Sequence, residues 1–167
     1  MTNNNQQAFF ALVRAGLWEK EVWLLPYGDI DYAEIMRLAQ EQAVVGLVAA
    51  GLEHVTDVKV SQVWALQFAG QTIQLEQRNT AMNRFIADLV SKMREADIYT
   101  LLVKGQGIAQ CYERPQWRTS GDVDLLLSVE NFEKAKSLLF PLSSGNKPEC
   151  NYSKVSGHFR PYCVPNI

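Results

Sequence analysis

Apolar positions recur at helical spacing through most of the first hundred residues, and only later in the short unbroken runs expected of buried strands. Over residues 8–25, Phe9, Phe10, Leu12, Val13, Leu17 and Trp18 share a broad stripe that predicts an amphipathic helix. Phe9, Phe10, Trp18 and Trp23 are expected in its core. Pro26-Tyr27-Gly28-Asp29 reads as a turn. Asp31 is suited to cap a second helix reaching about residue 42, with Ile35, Met36, Leu38 and Ala39 facing inward. Residues 42–52 read as a third helix with Gly51 near its end, and 53–60 as a connection. Ser61 then caps a long helical region, broken near Gly70, that runs to about Ala96. Within it Met82, Phe85, Ile86, Leu89, Val90 and Met93 keep the i, i+3, i+4, i+7 spacing. Residues 98–103 and 123–129 are aliphatic runs that predict strands. Between them lie a short helix over 106–112 and a loop over 113–121 containing Pro115. Asn131 would cap a helix from Phe132 to about Phe140. From Pro141 onward the chain holds four of its six prolines and two of its three cysteines, and no strand or long helix is expected there.

The composition narrows the class. The 167 residues are 47% hydrophobic and 20% charged, which excludes a disordered or fibrous chain and suits one domain, or a small domain with a helical extension. A formal charge of −2 gives no general electrostatic reason to bind nucleic acid. Cys111, Cys150 and Cys163 show no CxxC spacing, so reduced thiols in a cytoplasmic protein are expected and structural zinc is not. Residues 1–7 lack the basic and apolar regions of a signal peptide. The longest apolar run, 43–52, is too short to span a bilayer, which takes about 20 residues.

Candidate chemistry concentrates at Arg118-Thr119-Ser120-Gly121-Asp122-Val123-Asp124 and at Lys104-Gly105 upstream. Side chains two apart on a strand share a face, so Asp122 and Asp124 project together. Two neighbouring carboxylates repel each other, and the pair makes sense mainly around a divalent cation. Magnesium commonly takes one or two carboxylates plus substrate phosphates. Gly105 lets backbone approach a phosphate because no Cβ intervenes. Lys104 can supply charge, Arg118 can pair with a phosphate or with the aspartates, and Ser120 can donate a hydroxyl. Each also has an ordinary reading: a strand-end lysine, an Arg–Asp structural pair, a serine before a strand. Tyr112 and Trp117 could stack on a base, but such rings more often cover a core. Gly107 would permit tight packing of the short helix. His54 and His158 have no partner motif and read as surface or loop residues.

These residues resemble the nucleotidyltransferase superfamily, and within it an uncharacterised bacterial nucleotidyltransferase-like family. The resemblance rests on Leu102-Val103-Lys104-Gly105, then Tyr112, Pro115 and Arg118, then Asp122-Val123-Asp124, and covers roughly residues 78–140. It implies that Asp122 and Asp124 bind magnesium or manganese and orient a nucleoside triphosphate. Lys104, Gly105, Arg118 and Ser120 would contact the nucleotide. The Gly-Ser of many members is Gly105-Gln106 here, so that hydroxyl is missing.

The superfamily's third carboxylate is not found. Glu130 and Glu133 fall in the predicted helix, and Glu149 sits in a poor strand context. A chain cut short, a partner that supplies the acid, and a fold kept without catalysis all stay open. The expected class is α+β: a helical region (1–77), a partial nucleotidyltransferase-like α/β unit with a small mixed sheet (78–140) and an irregular tail (141–167). The expected function is transfer of a nucleotidyl group from a nucleoside triphosphate to a small-molecule or protein acceptor. The alternative is a catalytically inactive binding or interaction module. An open sheet edge would favour self-association.

Overall fold

A computed structural model of the chain describes residues 2–139, 152–153 and 156–159, with side chains described for 4–139. The chain divides into two units: residues 1–79 with 111–119, and residues 80–110 with 120–167.

The first unit is helical. Helix α1 (Thr2–Trp18) packs on α2 (Tyr32–Glu41) and α3 (Val45–Glu53), and α4 (Gln62–Glu95) contributes its first half. The core joins Phe9, Leu12 and Ala15 of α1 to Ile35 and Ala39 of α2, Val48 and Ala49 of α3, and Phe68 of α4. Small residues let α1 and α3 meet backbone to backbone. A Cβ on Gly16 would stand 1.9 Å from the Leu47 carbonyl oxygen, and one on Gly51 would stand 2.1 Å from that of Leu12. This close approach corrects the expected stripe. Phe9 and Leu12 are buried, but Phe10, Trp18 and Trp23 are 59%, 65% and 58% exposed, because alanines and a glycine fill the contact instead.

Helix α1 also stops at Trp18 rather than near residue 25. Glu19 adopts a left-handed φ of 47°, and the Lys20 N–H donates to the Ala15 carbonyl at 3.1 Å, a six-to-one helix closure. The same closure ends α2 at Ala43 (φ 55°; Val44 N–H to Ala39 O, 2.8 Å) and α4 at Asp97 (φ 53°; Ile98 N–H to Met93 O, 2.8 Å). Asp31 caps α2 as expected, accepting from the Ala33 and Glu34 N–H groups.

Helix α4 runs unbroken through Gly70. Nothing lies within 4 Å of the position a Gly70 Cβ would take. Gly70→Ala is therefore expected to stabilise the protein by roughly 0.5–1 kcal/mol by removing backbone freedom from the unfolded chain. Denaturant melts of the two proteins check this, and a loss of stability would contradict it.

Asp57 fixes the turn between α1 and α2. Its carboxylate accepts the N–H groups of Leu24 (2.9 Å) and Leu25 (2.8 Å), which open a 3-10 turn over Leu25–Tyr27. Desolvation pushes the Asp57 carboxyl upward, but those N–H groups outweigh it and hold it below the usual carboxylate range. A depressed folded pKa gives stability that is present above the unfolded value, near 4, and lost as pH falls through the folded one. Asp57→Asn should lower Tm at pH 7, with a gap to the parent that narrows on acidification. A gap independent of pH would refute this.

The second unit holds a four-stranded sheet of order β1-β2-β4-β3, from β1 (Thr100–Leu102), β2 (Leu125–Leu127), β3 (Tyr152–Ser153) and β4 (Ser156–Phe159). Every pairing is antiparallel, so the class is α+β as expected while the sheet is not mixed. Strands β3 and β4 lie where no strand was expected. Leu125 and Leu127 of β2 pack with Met82, Leu89 and Met93 of α4 and with Phe132, Ala135 and Leu139 of α6 (Val129–Leu139). Helix α6 begins three residues before Phe132. The Ser128 hydroxyl accepts the Asn131 N–H (3.3 Å), so Ser128 takes the capping role expected of Asn131. Residues Phe140, Glu149, Cys150 and Cys163 lie outside the described residues. Among the described residues, no helix is long and apolar enough to cross a membrane.

Candidate functional site

The β1–β2 register positions the candidate residues of the second unit. Leu102 pairs with Leu125, and the next rung is the Val103 N–H donating to the Asp124 carbonyl at 3.1 Å. Alternation then sends Val123, Leu125 and Leu127 into the core and leaves Asp122 and Asp124 for the opposite face. Both aspartates precede the three-residue strand rather than opening it. Asp124 is nonetheless only 4% exposed, whereas Asp122 is exposed. A buried carboxylate calls for a positive partner, and the Lys104 ammonium stands 3.6 Å from Asp124 Oδ2. Lys104 is thus more than a surface lysine.

At Gly105 the chain turns from β1 into the short helix α5 (Gln106–Ala109) with φ 54° and ψ −116°, a conformation that favours glycine. A Cβ there would stand 2.7 Å from Ser120 Oγ and 3.0 Å from the Asp122 carbonyl oxygen. The Ser120 Oγ is buried and, among the described residues, has no hydrogen-bond partner. Ser120 thus brings a hydroxyl against the Gly105 turn from across the loop. Gly107 has the expected packing role, since a Cβ there would meet the Leu102 carbonyl at 2.9 Å.

Lys104, Gly105, Ser120, Asp122 and Asp124 thus gather in the second unit. Arg118 belongs to the first. Its Nη1 donates to the Thr119 carbonyl (3.2 Å), and its guanidinium lies 5.9 Å from the Tyr112 ring centroid.

The sequence reading missed the polar network that holds segment 111–119 in the first unit. Asn79, 1% exposed, donates from Nδ2 to the carbonyls of Gln116 (2.7 Å) and Arg118 (2.8 Å). The Trp117 indole N–H donates to Glu76 (2.6 Å), and Arg114 lies 4.5 Å over the Trp117 ring. Arg114 also pairs with Glu19 (2.9 Å) and Glu53 (2.8 Å). His54, read as a surface residue, is half-buried and hydrogen-bonds Glu19 at 2.6 Å. Burial raises the Glu19 carboxyl, but His54 and Arg114 outweigh it and hold it below the usual range. The only sequence signal was a cluster of charges and rings at large separations, which no local pattern links.

Among the described residues, no group of three His, Cys, Asp or Glu side chains is arranged to hold a metal ion, and Cys111 is exposed and not in a disulfide. Two carboxylates still suit a magnesium ion that takes its remaining oxygens from phosphate. The buried Asp124, and a buried Ser120 hydroxyl that has no hydrogen-bond partner among the described residues, fit such a metal–phosphate group.

No curated protein and no solved structure matches the chain. The model of one protein family, described as uncharacterised nucleotidyltransferase, matches residues 28–162, a span that takes in α2, α3 and α4 as well as the Lys104-Gly105 turn and both aspartates. The chain belongs to this uncharacterised nucleotidyltransferase family.

Proposed function

We propose that the protein transfers a nucleotidyl group from a nucleoside triphosphate to a small-molecule or protein acceptor, with magnesium or manganese bound by Asp122 and Asp124. The carrying observation is the turn at Gly105, closed on Ser120 and Asp122 and flanked by the Lys104–Asp124 pair. A divalent ion held there would offset negative charge on the reacting phosphates. Gly105, lacking a Cβ, lets Ser120 and the Asp122 backbone close on the turn. Ser120 donates its hydroxyl to a phosphate oxygen. Lys104, on a half-exposed flexible stem, offers its ammonium to the same group while staying near Asp124. The net charge of −2 favours a small or protein acceptor over a polynucleotide.

A second reading, a noncatalytic nucleotide-binding module, is favoured by one observation. Strand β4, the neighbour of β2, is Ser156-Gly157-His158-Phe159 and carries no carboxylate.

The test is thermal stability with ATP, GTP, CTP or UTP, each with and without magnesium. A ligand at about 100 times its Kd stabilises by about 2.7 kcal/mol, a rise of several degrees in Tm. At least one triphosphate should give that rise only with magnesium, and Asp124→Asn and Gly105→Val should each abolish it. A shift retained in the Asp122→Ala, Asp124→Ala double variant would sink the assignment. Binding without release of pyrophosphate across an acceptor screen would select the noncatalytic reading.

A further inference from the structure

The segment that follows α1 is extended, and only one of its edges is used. Val22 gives both backbone groups to residues 54–56: its N–H donates to the His54 carbonyl (3.0 Å), and its carbonyl accepts the Thr56 N–H (3.3 Å). The result is a parallel bridge to Val55. The Leu24 N–H continues on the same side, donating to Asp57 at 2.9 Å. Alternate residues of an extended chain turn their backbone groups to opposite edges, so Glu21 and Trp23 present theirs on the other side. Among the described residues, neither the N–H nor the carbonyl of Glu21 or Trp23 makes a hydrogen bond. Burial alternates in step, with Val22 and Leu24 buried and Glu21 and Trp23 exposed.

This open edge borders a cavity of about 350 Å³ within the first unit. Arg14 and Trp18 of α1 line it, with Lys20, Glu21, Trp23 and Tyr27. Both indoles are more than half exposed, which is costly unless something covers them. The lining carries two cations and one acid, and among the described residues neither Arg14 nor Lys20 stands in an ion pair. An unpaired edge is a template for another strand. Amides of an added strand would satisfy Glu21 and Trp23, indole faces suit bulky apolar side chains, and the surplus positive charge suits carboxylates.

We propose that this edge takes an extended segment of a partner protein, rich in Asp or Glu and in bulky apolar residues. A second copy of this chain fits worse, because a two-fold pairing would set Arg14 and Lys20 against their own counterparts. The inference concerns the first unit alone and does not depend on nucleotidyl transfer.

The experiment titrates the full chain with a pool of blocked hexapeptides in which every position is Asp, Glu, Leu, Ile, Val or Phe. A matched pool carries Lys in place of the acids, and a third is the acidic pool with N-methylated amides. Binding is followed by NMR, through the Glu21 and Trp23 amide resonances and the Trp18 and Trp23 indole N–H resonances. At low ionic strength the acidic pool should bind about tenfold or more tightly than the basic one, and the gap should narrow as salt is added. N-methylation should weaken binding about tenfold or more, as the loss of main-chain hydrogen bonds requires. Glu21→Pro, which removes an edge N–H, should do the same, and the Arg14→Glu, Lys20→Glu double variant should abolish the preference for acids. The proposal is overturned if the acidic pool moves none of these resonances at millimolar concentration, if N-methylation leaves the binding unchanged, or if the basic pool binds equally well. It is also overturned if the same resonances shift with protein concentration alone as the chain dimerises, which makes a second copy the occupant. Should Glu21→Pro fail to fold by circular dichroism, the N-methylated pool tests the same hydrogen bonds from the peptide side.

Discussion

Replacing Gly51 by alanine is expected to destabilise the first unit by roughly 3–5 kcal/mol and lower Tm by on the order of 10 °C. The added Cβ would stand 2.1 Å from the Leu12 carbonyl oxygen and 2.8 Å from its carbon, well inside contact distance. Both obstacles are backbone atoms in the middle of a helix, so no side-chain rotation relieves them. Helix α1 would have to move away from α3. That shift opens the contacts of Leu12, Ala15 and Val48, all buried in one core. Gly16→Ala should behave alike, because its Cβ meets the Leu47 carbonyl at 1.9 Å. The double variant should lose less than the sum of the two, since one displacement relieves both clashes. The check is thermal denaturation with Gly70→Ala, a glycine with open space around it, as control. A Tm within 2 °C of the parent for Gly51→Ala would show that α1 and α3 are not in backbone contact.

Asn79→Asp should cost a comparable amount, roughly 3–5 kcal/mol at neutral pH. The parent amide donates to two carbonyl oxygens at 2.7 and 2.8 Å from a side chain that is 1% exposed. An ionised carboxylate in the same place has no proton to give and sets negative oxygen against both carbonyls. Burial and those carbonyls would raise the new carboxyl above its unfolded value. A raised folded pKa means that the protonated, donating form fits the fold. Stability is therefore kept below the unfolded pKa, near 4, and lost as pH rises through the folded one. Asn79→Ala lacks this titration and should cost less, about 1–3 kcal/mol, from two carbonyls left without their donor. The readouts are Tm against pH and amide exchange across 111–119, which should quicken in both variants. An Asn79→Asp loss that stays constant between pH 3 and pH 8 would show that the site does not desolvate the side chain.

Much of the helical frame was legible in the sequence because it follows from local rules. The apolar spacing gave α2, α3 and α4 to within a few residues, and Asp31 marked a cap that the structure uses. The Lys-Gly turn, the Tyr112, Pro115 and Arg118 spacing and the Asp-x-Asp run carried the family resemblance, and a family model matching residues 28–162 bears it out. Propensity misled wherever a distant backbone set the terms. Phe10, Trp18 and Trp23 are apolar and sit at helical spacing, yet α1 turns its alanines and glycine inward because α3 approaches too closely for rings. Gly70 looked like a break, but a single glycine costs only about 1 kcal/mol and a long helix absorbs it.

The sequence by itself determined which residues favour helix or strand, where two carboxylates and a glycine turn share a short stretch, and to which family that stretch belongs. Each of these depends on neighbours within a few positions along the chain. Only the tertiary structure decided that Ser120 closes on Gly105, that Lys104 sits against a buried Asp124, that β4 lies beside β2, and that Asn79 fastens Gln116 and Arg118 from 37 and 39 residues away. Those contacts arise when packing brings remote backbone together and each buried polar group must then find a partner. No periodicity or spacing in the chain encodes which partner that is.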